Sequence, residues 1–193
     1  AEYVFIDIPT GRGAKVPTIE GARDLARSFE VFGTALGLQI KVGISDGSEP
    51  LVNTLGPALE ARAVVELLSS NGKGHEALLE KACQTSGILL HMIRGITREE
   101  GYSIARMQVE NGRAWEKMRQ IIKAQGGDDN VTPESIAVGQ HHTAVFASGN
   151  GRVSHIDNKA ISVVLRALGA PKDKLAGIVL KVTKSQRINR GET

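Results

Sequence analysis

Residues 3–15 read YVFIDIPTGRGAK, and this stretch decides the fold because it joins a short apolar run to a glycine-rich turn. The run Tyr3–Ile8 is short, β-branched and aromatic, which predicts a buried strand. The proline and glycines that follow it predict a turn. Residues 11–15 can therefore be interpreted either as a loop that holds a phosphate or as a plain solvated turn.

A helix and a second strand follow this turn. Apolar residues recur at helical spacing over Ile19–Leu36, with Thr18 as a predicted N-cap and Gly37 as a C-terminal stop. Leu38–Ile44 then alternates as a strand does. A strand–helix–strand unit of this length predicts two parallel strands with a right-handed crossover.

Helical patterns fill the rest of the chain up to residue 127. Thr97 and Glu100 have the spacing of a capping box. We expect Trp115 to anchor a core, because Met118 and Ile122 share its face of a helix. The predicted helices run from Pro57 to about Leu68, Glu76 to Ile93, Arg98 to Val109 and Trp115 to Ala124.

The sequence changes character at residues 128–133, a polar segment that predicts a domain boundary. We predict an α/β domain over residues 1–127, a linker over residues 128–133 and an α+β domain over residues 134–193. The last domain is expected to contain a hairpin of Thr143–Phe146 with Arg152–Ile156, a helix over Lys159–Leu168 and a strand over Ile178–Val182.

Composition narrows the class of ligand. The 193 residues carry a net charge of +3 with scattered basic residues and 4% aromatics, which favours a small anionic ligand over nucleic acid. No apolar run reaches eighteen residues and no secretory signal pattern is visible, so no membrane partner is predicted. A single cysteine, Cys83, indicates a reducing, cytoplasmic setting and is predicted to be buried.

The turn matches neither standard phosphate motif, since Val16 stands where both patterns need another residue. Even so, Gly11, Gly13 and Lys15 would lie at the carboxyl edge of a parallel sheet, where ligands of open α/β folds bind. Both interpretations of the turn stay open on these grounds.

The histidines do not predict a metal site. His141 and His142 are adjacent on a predicted strand, so their rings would point to opposite faces. His155 is the only other histidine near them that could act as a metal ligand, and no cluster of cysteines or carboxylates has the spacing of metal ligands. No G-x-S-x-G nucleophile motif occurs either.

Three separated stretches are DIPTGRGAK at Asp7–Lys15, ISDGSEPLVNTLGPALEARAVVELL at Ile44–Leu68 and IDNKAISVVLRALGAP at Ile156–Pro171. Together they resemble the thymidine and pyrimidine-nucleoside phosphorylase family, most closely its archaeal AMP phosphorylase branch. This resemblance implies a three-layer α/β/α catalytic domain followed by a small α+β C-terminal domain. It also implies a C-terminal piece of such an enzyme, with the later part of the α/β domain and most of a truncated last domain.

The resemblance implies a pentosyltransferase. The expected reaction is phosphorolysis of AMP, or of CMP or UMP, with inorganic phosphate as co-substrate and no cofactor, giving the free base and ribose 1,5-bisphosphate. A nucleoside phosphorylase is the rival within the class, and a non-catalytic ligand-binding or assembly module is the rival outside it. The parent enzyme is expected to be a cytoplasmic dimer, whereas the oligomeric state of this piece is left open.

The resemblance carries over only part of the active site. Lys15 resembles the lysine that contacts AMP in AMP phosphorylases, and a cation suits the 5'-phosphate of a nucleotide. Gly11 and Gly13 would let the backbone approach the ligand, and Arg12 would assist, although the resemblance assigns Arg12 no role. The family's phosphate loop and base-binding residues lie upstream of Ala1, so no catalytic residue is assigned here and the piece alone is expected to be inactive. A glutamate that helps hold potassium in bacterial relatives is replaced by Ala63, so no metal is predicted.

Overall fold

The computed structural model describes residues 2–193, and it confirms the predicted mixed α/β class. Long elements occupy the chain up to residue 124, and short ones follow. In chain order they are β1 (Tyr3–Thr10), α1 (Ile19–Ala35), β2 (Gln39–Asp46), β3 (Thr54–Leu55), α2 (Pro57–Ser69), α3 (Glu76–Arg94), α4 (Arg98–Glu110), α5 (Arg113–Ala124), β4 (Gly151–Arg152), α6 (Asn158–Ala167), β5 (Ile178–Val179) and β6 (Arg187–Ile188).

The predicted strand–helix–strand unit is present. β1 and β2 are parallel over their whole lengths, from Tyr3 opposite Gln39 to Thr10 opposite Asp46. α1 begins at the predicted cap, where the Thr18 side chain accepts the N–H of Gly21. It packs on the face of the sheet that carries Ile40, and α3 contacts β1 on the opposite face, so both faces of the parallel pair are covered.

The best-packed core lies among α2, α3 and α4. Leu67, Leu79, Cys83 and Val109 are buried there together, which confirms the predicted burial of Cys83. The α3 and α4 backbones come close at a pair of glycines, since a methyl group added at Gly87 would lie 2.7 Å from the backbone N of Tyr102. The two helices therefore pack closely beside the core that contains Leu79 and Cys83.

Trp115 does not anchor this core. It is only partly buried, and α5 contains no fully buried residue. Its ring instead lines a shallow cavity with Arg119 of α5 and linker residues 129–133. α5 is the helix that its apolar stripe predicts, and its Ala114 packs against the core, whereas Trp115 lies beside the linker.

The predicted hairpin after residue 140 is wrong. Residues 143–146 form no strand, and β4 pairs antiparallel with β6, so that Gly151 lies opposite Ile188. The backbone of Ala147 bonds instead to the C-terminal residues, accepting from Gly191 and donating to Glu192. Both backbone groups of Val153, in the second predicted strand, are bonded to residues 185–186 and not to residues 143–146.

β5 is shorter than the predicted strand over Ile178–Val182. It pairs antiparallel with β3, with Thr54 opposite Val179 and Leu55 opposite Ile178. β3 stops after two residues because Gly56 and Pro57 begin α2 immediately afterwards. Beyond Val179 the chain runs alongside residues 51–53, which form no strand, and the pairing continues only as the N–H of Leu180 donating to the carbonyl of Asn53 at 2.7 Å.

The chain exposes more surface than a compact monomer of its mass. Its accessible surface is 12,644 Å², whereas a globular monomer of 20.6 kDa has about 8,900 Å². Part of the excess is apolar: Val31, Phe32 and Leu36, at the end of α1, are each more than 60% exposed. Apolar patches of this kind are typical of surfaces on which other protein packs. None of the helices within residues 2–193 is long and apolar enough to cross a membrane.

Candidate functional site

Residues 11–15, called here the glycine loop, leave β1 in a tight turn. The N–H of Ala14 donates to the carbonyl of Gly11 at 3.1 Å and closes the turn. Gly11 has φ +125° and Gly13 has φ +91°, a region that side chains disfavour. The turn therefore depends on glycine at these two positions, which also keeps the backbone uncovered by side chains.

The loop that follows β2 lies directly beside the glycine loop. The N–H of Gly47 donates to the carbonyl of Thr10 at 2.6 Å. A methyl group added at Gly11 would lie 3.1 Å from Cβ of Ser48. Two loops thus meet at the carboxyl edge of the parallel pair, as predicted, and this edge is where open α/β folds bind their ligands.

The start of α6 reaches the same edge from the far end of the chain. The side-chain amide of Asn158 donates to the carbonyl of Gly47 at 2.9 Å. A methyl group added at Gly13 would lie 3.4 Å from Cβ of Asn158. Sequence reasoning missed this approach, because a cap signal at residues 157–158 predicts a helix start but not what that start packs against.

The local charges suit an anion. Arg12 and Lys15 are exposed, and neither forms an ion pair within the described residues. The N–H of Ala160, with smaller effects from the N–H of Lys159 and the charges of His155 and Arg12, holds the pKa of Asp157 below its usual value. The Asp157 carboxylate is thus engaged as the cap of α6, while the two cations of the glycine loop remain available.

A polar network supports the two strand ends from the α3 side. The Asp7 carboxylate accepts the hydroxyl of Ser45 at 2.9 Å and pairs with Nζ of Lys81 at 2.7 Å. The hydroxyl of Thr10 donates to the carbonyl of Ser45 at 3.2 Å. β1, β2 and α3 are therefore tied together immediately below the glycine loop, which gives it a rigid base.

Other candidate residues do not join this site. His141 and His142 are exposed and lie on no strand. Across residues 2–193 no group of three or more His, Cys, Asp or Glu side chains is arranged to hold a metal ion. Burial raises the pKa of the Cys83 thiol, which opposes formation of a nucleophilic thiolate.

Comparison with known proteins gives a consistent set of relatives. No protein-family model matches the chain. Curated proteins named AMP phosphorylase do match: the chain is 46% identical over 192 residues to that of Thermococcus kodakarensis and 45% identical to that of Pyrococcus abyssi. It is 38% identical to that of Methanosarcina mazei. Each match covers 100% of this chain and 38% of the relative.

These matches agree with the predicted resemblance of the three stretches of sequence to the phosphorylase family. Within that class the curated relatives are AMP phosphorylases from several archaea, and the predicted resemblance is confirmed over the whole chain. The chain spans 38% of the length of the curated relatives that it matches.

Proposed function

We propose that the chain is part of an AMP phosphorylase, a pentosyltransferase that converts AMP and inorganic phosphate into adenine and ribose 1,5-bisphosphate. The observation that carries the proposal is identity of 38–46% along the entire chain to proteins of that name. The exposed cations of the glycine loop support it, because a nucleotide brings a 5'-phosphate that a nucleoside lacks.

In this proposal Lys15 binds the 5'-phosphate of AMP. Its ammonium group is exposed at the carboxyl edge of the sheet, on a turn that the glycines hold open. Arg12 lies on the same turn and adds a second positive charge near the phosphate. Gly11 and Gly13 allow the nucleotide to approach the backbone without meeting a side chain.

The reaction needs positioning more than a protein nucleophile. An oxygen of inorganic phosphate forms a bond to the anomeric carbon while the bond from that carbon to N9 of adenine breaks. The electron pair of the broken bond goes to the base, which takes up a proton. Charge develops on the base and on an oxocarbenium-like sugar, so fixed geometry and electrostatic stabilisation lower the barrier. The glycine loop contributes to holding the nucleotide, and no catalytic group is assigned to residues 2–193.

The same proposal covers the co-substrate, the cell compartment, the oligomeric state and the further substrates of the enzyme. Inorganic phosphate serves as co-substrate and no further cofactor takes part. The enzyme acts in the cytoplasm as a homodimer, without nucleic acid or membrane as partner. CMP and UMP are secondary substrates, since the cation of Lys15 would recognise the phosphate of any nucleoside 5'-monophosphate.

A substrate comparison tests the proposal. The full-length protein that carries this chain is incubated with phosphate and with AMP, CMP or thymidine, and the free base and sugar phosphate are separated by chromatography. Release of adenine and ribose 1,5-bisphosphate from AMP is expected. Preferential cleavage of thymidine would favour a nucleoside phosphorylase, and no cleavage of any of the three would refute the enzyme class.

The chain by itself provides a second comparison. Residues 1–193 are expected to be inactive, and calorimetric titration with AMP is expected to give only weak binding, because the chain supplies one part of the site. Tight binding of AMP by the chain alone would support the non-catalytic binding module instead.

A further inference from the structure

Asn158 joins the region after residue 134 to the glycine loop. Its side-chain amide donates to the carbonyl of Gly47, which is 111 residues away in the chain. The N–H of the same Gly47 donates to the carbonyl of Thr10, the last residue of β1. One glycine residue therefore links the start of α6 to the residue that precedes the glycine loop.

Asn158 also lies next to the glycine loop. A methyl group added at Gly13 would lie 3.4 Å from its Cβ and 3.8 Å from its backbone N. The side chain of Asn158 is partly buried, whereas Arg12 and Lys15 of the glycine loop are exposed. Asn158 thus lies beside the loop, and the charged side chains of the loop remain exposed.

The position of Asn158 is itself well fixed. It is the first residue of α6, and Asp157 caps that helix by accepting the N–H groups of Lys159 and Ala160. The residue before the cap, Ile156, is buried. A side chain held by a capped helix and a buried neighbour can position a loop more accurately than another loop could.

We infer that Asn158 is a positioning residue that holds the glycine loop in the arrangement that nucleotide binding requires. It acts through Gly47 and through its contact with Gly13, and it does not itself touch the nucleotide. The inference rests on the proposed function, because the purpose of the arrangement is to place Lys15 at the 5'-phosphate. Small displacements of a positioning group are costly in enzymes, since the bound geometry must be close to the reacting one.

Replacing Asn158 by aspartate tests this role with almost no change of shape. An ionised carboxylate cannot donate to the carbonyl of Gly47 and repels it. In the full-length protein, Asn158→Asp is expected to raise the KM for AMP about tenfold, through the loss of one partly buried hydrogen bond, with kcat changed less than about threefold. Asn158→Gln, which keeps the donor, is expected to restore part of the affinity.

Asn111→Asp is the matched control. Asn111 uses its side-chain oxygen to accept the N–H of Arg113, and a carboxylate accepts that bond equally well. The control variant should therefore keep the KM of the wild type. Equal KM values for Asn158→Asp and Asn111→Asp in an enzyme that does cleave AMP would overturn the inference while leaving the proposed function intact.

Trypsin provides a readout that needs no activity. It cleaves after Arg12 and Lys15, both exposed on the glycine loop. Asn158→Asp is expected to speed cleavage at these two sites relative to wild type, and Asn111→Asp is not. If the full-length protein fails to cleave AMP, the proposed function falls, and unchanged cleavage of the glycine loop by trypsin would separately overturn the positioning role.

Discussion

Residues 2–127 and residues 134–193 are built in different ways. The first region contains five helices of twelve residues or more and a parallel strand pair, whereas the second contains one ten-residue helix and three strands of two residues. All the buried apolar residues of the described chain except Ile156 lie in the first region. The first region is therefore stabilised by its own core, and the second is held by bonds to β3, α2 and the loop before β3.

The bonds that hold the second region are spread along α2 and the loops before it. β5 pairs with β3, the Arg62 guanidinium donates to the carbonyl of Ile136 at 2.7 Å, and Lys184 pairs with Glu49 at 3.4 Å. Most of these partners are exposed or half-buried, where such bonds contribute little individually. The candidate site therefore lies between a region that has its own core and a region that is held by scattered bonds.

The largest expected effect comes from the core of the first region. Leu79 is 1% exposed, so Leu79→Ala should lower the free energy of unfolding by about 2–5 kcal/mol through lost burial and a cavity. Leu168 of the second region is 51% exposed, and Leu168→Ala should change the free energy of unfolding by less than about 0.5 kcal/mol. Denaturant titrations of both variants measure the two changes. Similar losses of unfolding free energy in the two variants would contradict the proposed difference between the regions.

A smaller effect is expected where the two regions join. A methyl group added at Gly177 would lie 2.7 Å from the carbonyl oxygen of Leu55 and 2.6 Å from Cδ1 of Leu59. Gly177→Ala should therefore cost about 1–3 kcal/mol and loosen the second region, which limited proteolysis would detect as faster cleavage after residue 134. Gly149→Ala, which has open space around it, is the matched control. Unchanged proteolysis in Gly177→Ala would show that the β3–β5 pairing does not hold the second region.

The smallest effect is expected from acid. In the folded chain the pKa of Asp157 lies below its usual value of 3.8, mainly because of the N–H of Ala160. The stabilisation is therefore fully present above that usual value and is lost as the pH falls through the lowered pKa. Asp157→Asn, which can still cap α6, should show a shallower loss of stability between pH 5 and 2, as followed by thermal unfolding at each pH. Identical pH profiles for the two proteins would contradict this assignment.

The sequence predicted the parts that local rules decide. Thr18, the apolar spacing of α1 and the glycines after β1 each act within a few residues, so the strand, the turn and the helix could be read directly. The pairing of Ala147 with the C-terminal residues could not, because the competing hairpin with residues 152–156 satisfies the same local pattern. Tertiary contacts, which the sequence pattern does not reveal, decide between the two pairings.

Some features of the candidate site could likewise be predicted from the sequence, and others could not. The glycine loop and its position at the sheet edge followed from residues 3–44, and Lys15 followed from a family resemblance. The contact of Asn158 with Gly47 and Gly13 did not follow from either, because no spacing rule relates residues so far apart. Its helix start was recognisable, but the surface that receives it was visible only in the structure.

The central claim is that Lys15 recognises the 5'-phosphate of a nucleotide, and Lys15→Met in the full-length protein tests it most directly. The affinities for AMP and for adenosine are measured by calorimetry in wild type and variant. Loss of a charge-assisted contact should weaken AMP binding about 10- to 100-fold and leave adenosine binding nearly unchanged. Equal losses for both ligands, or no loss for AMP, would contradict the account.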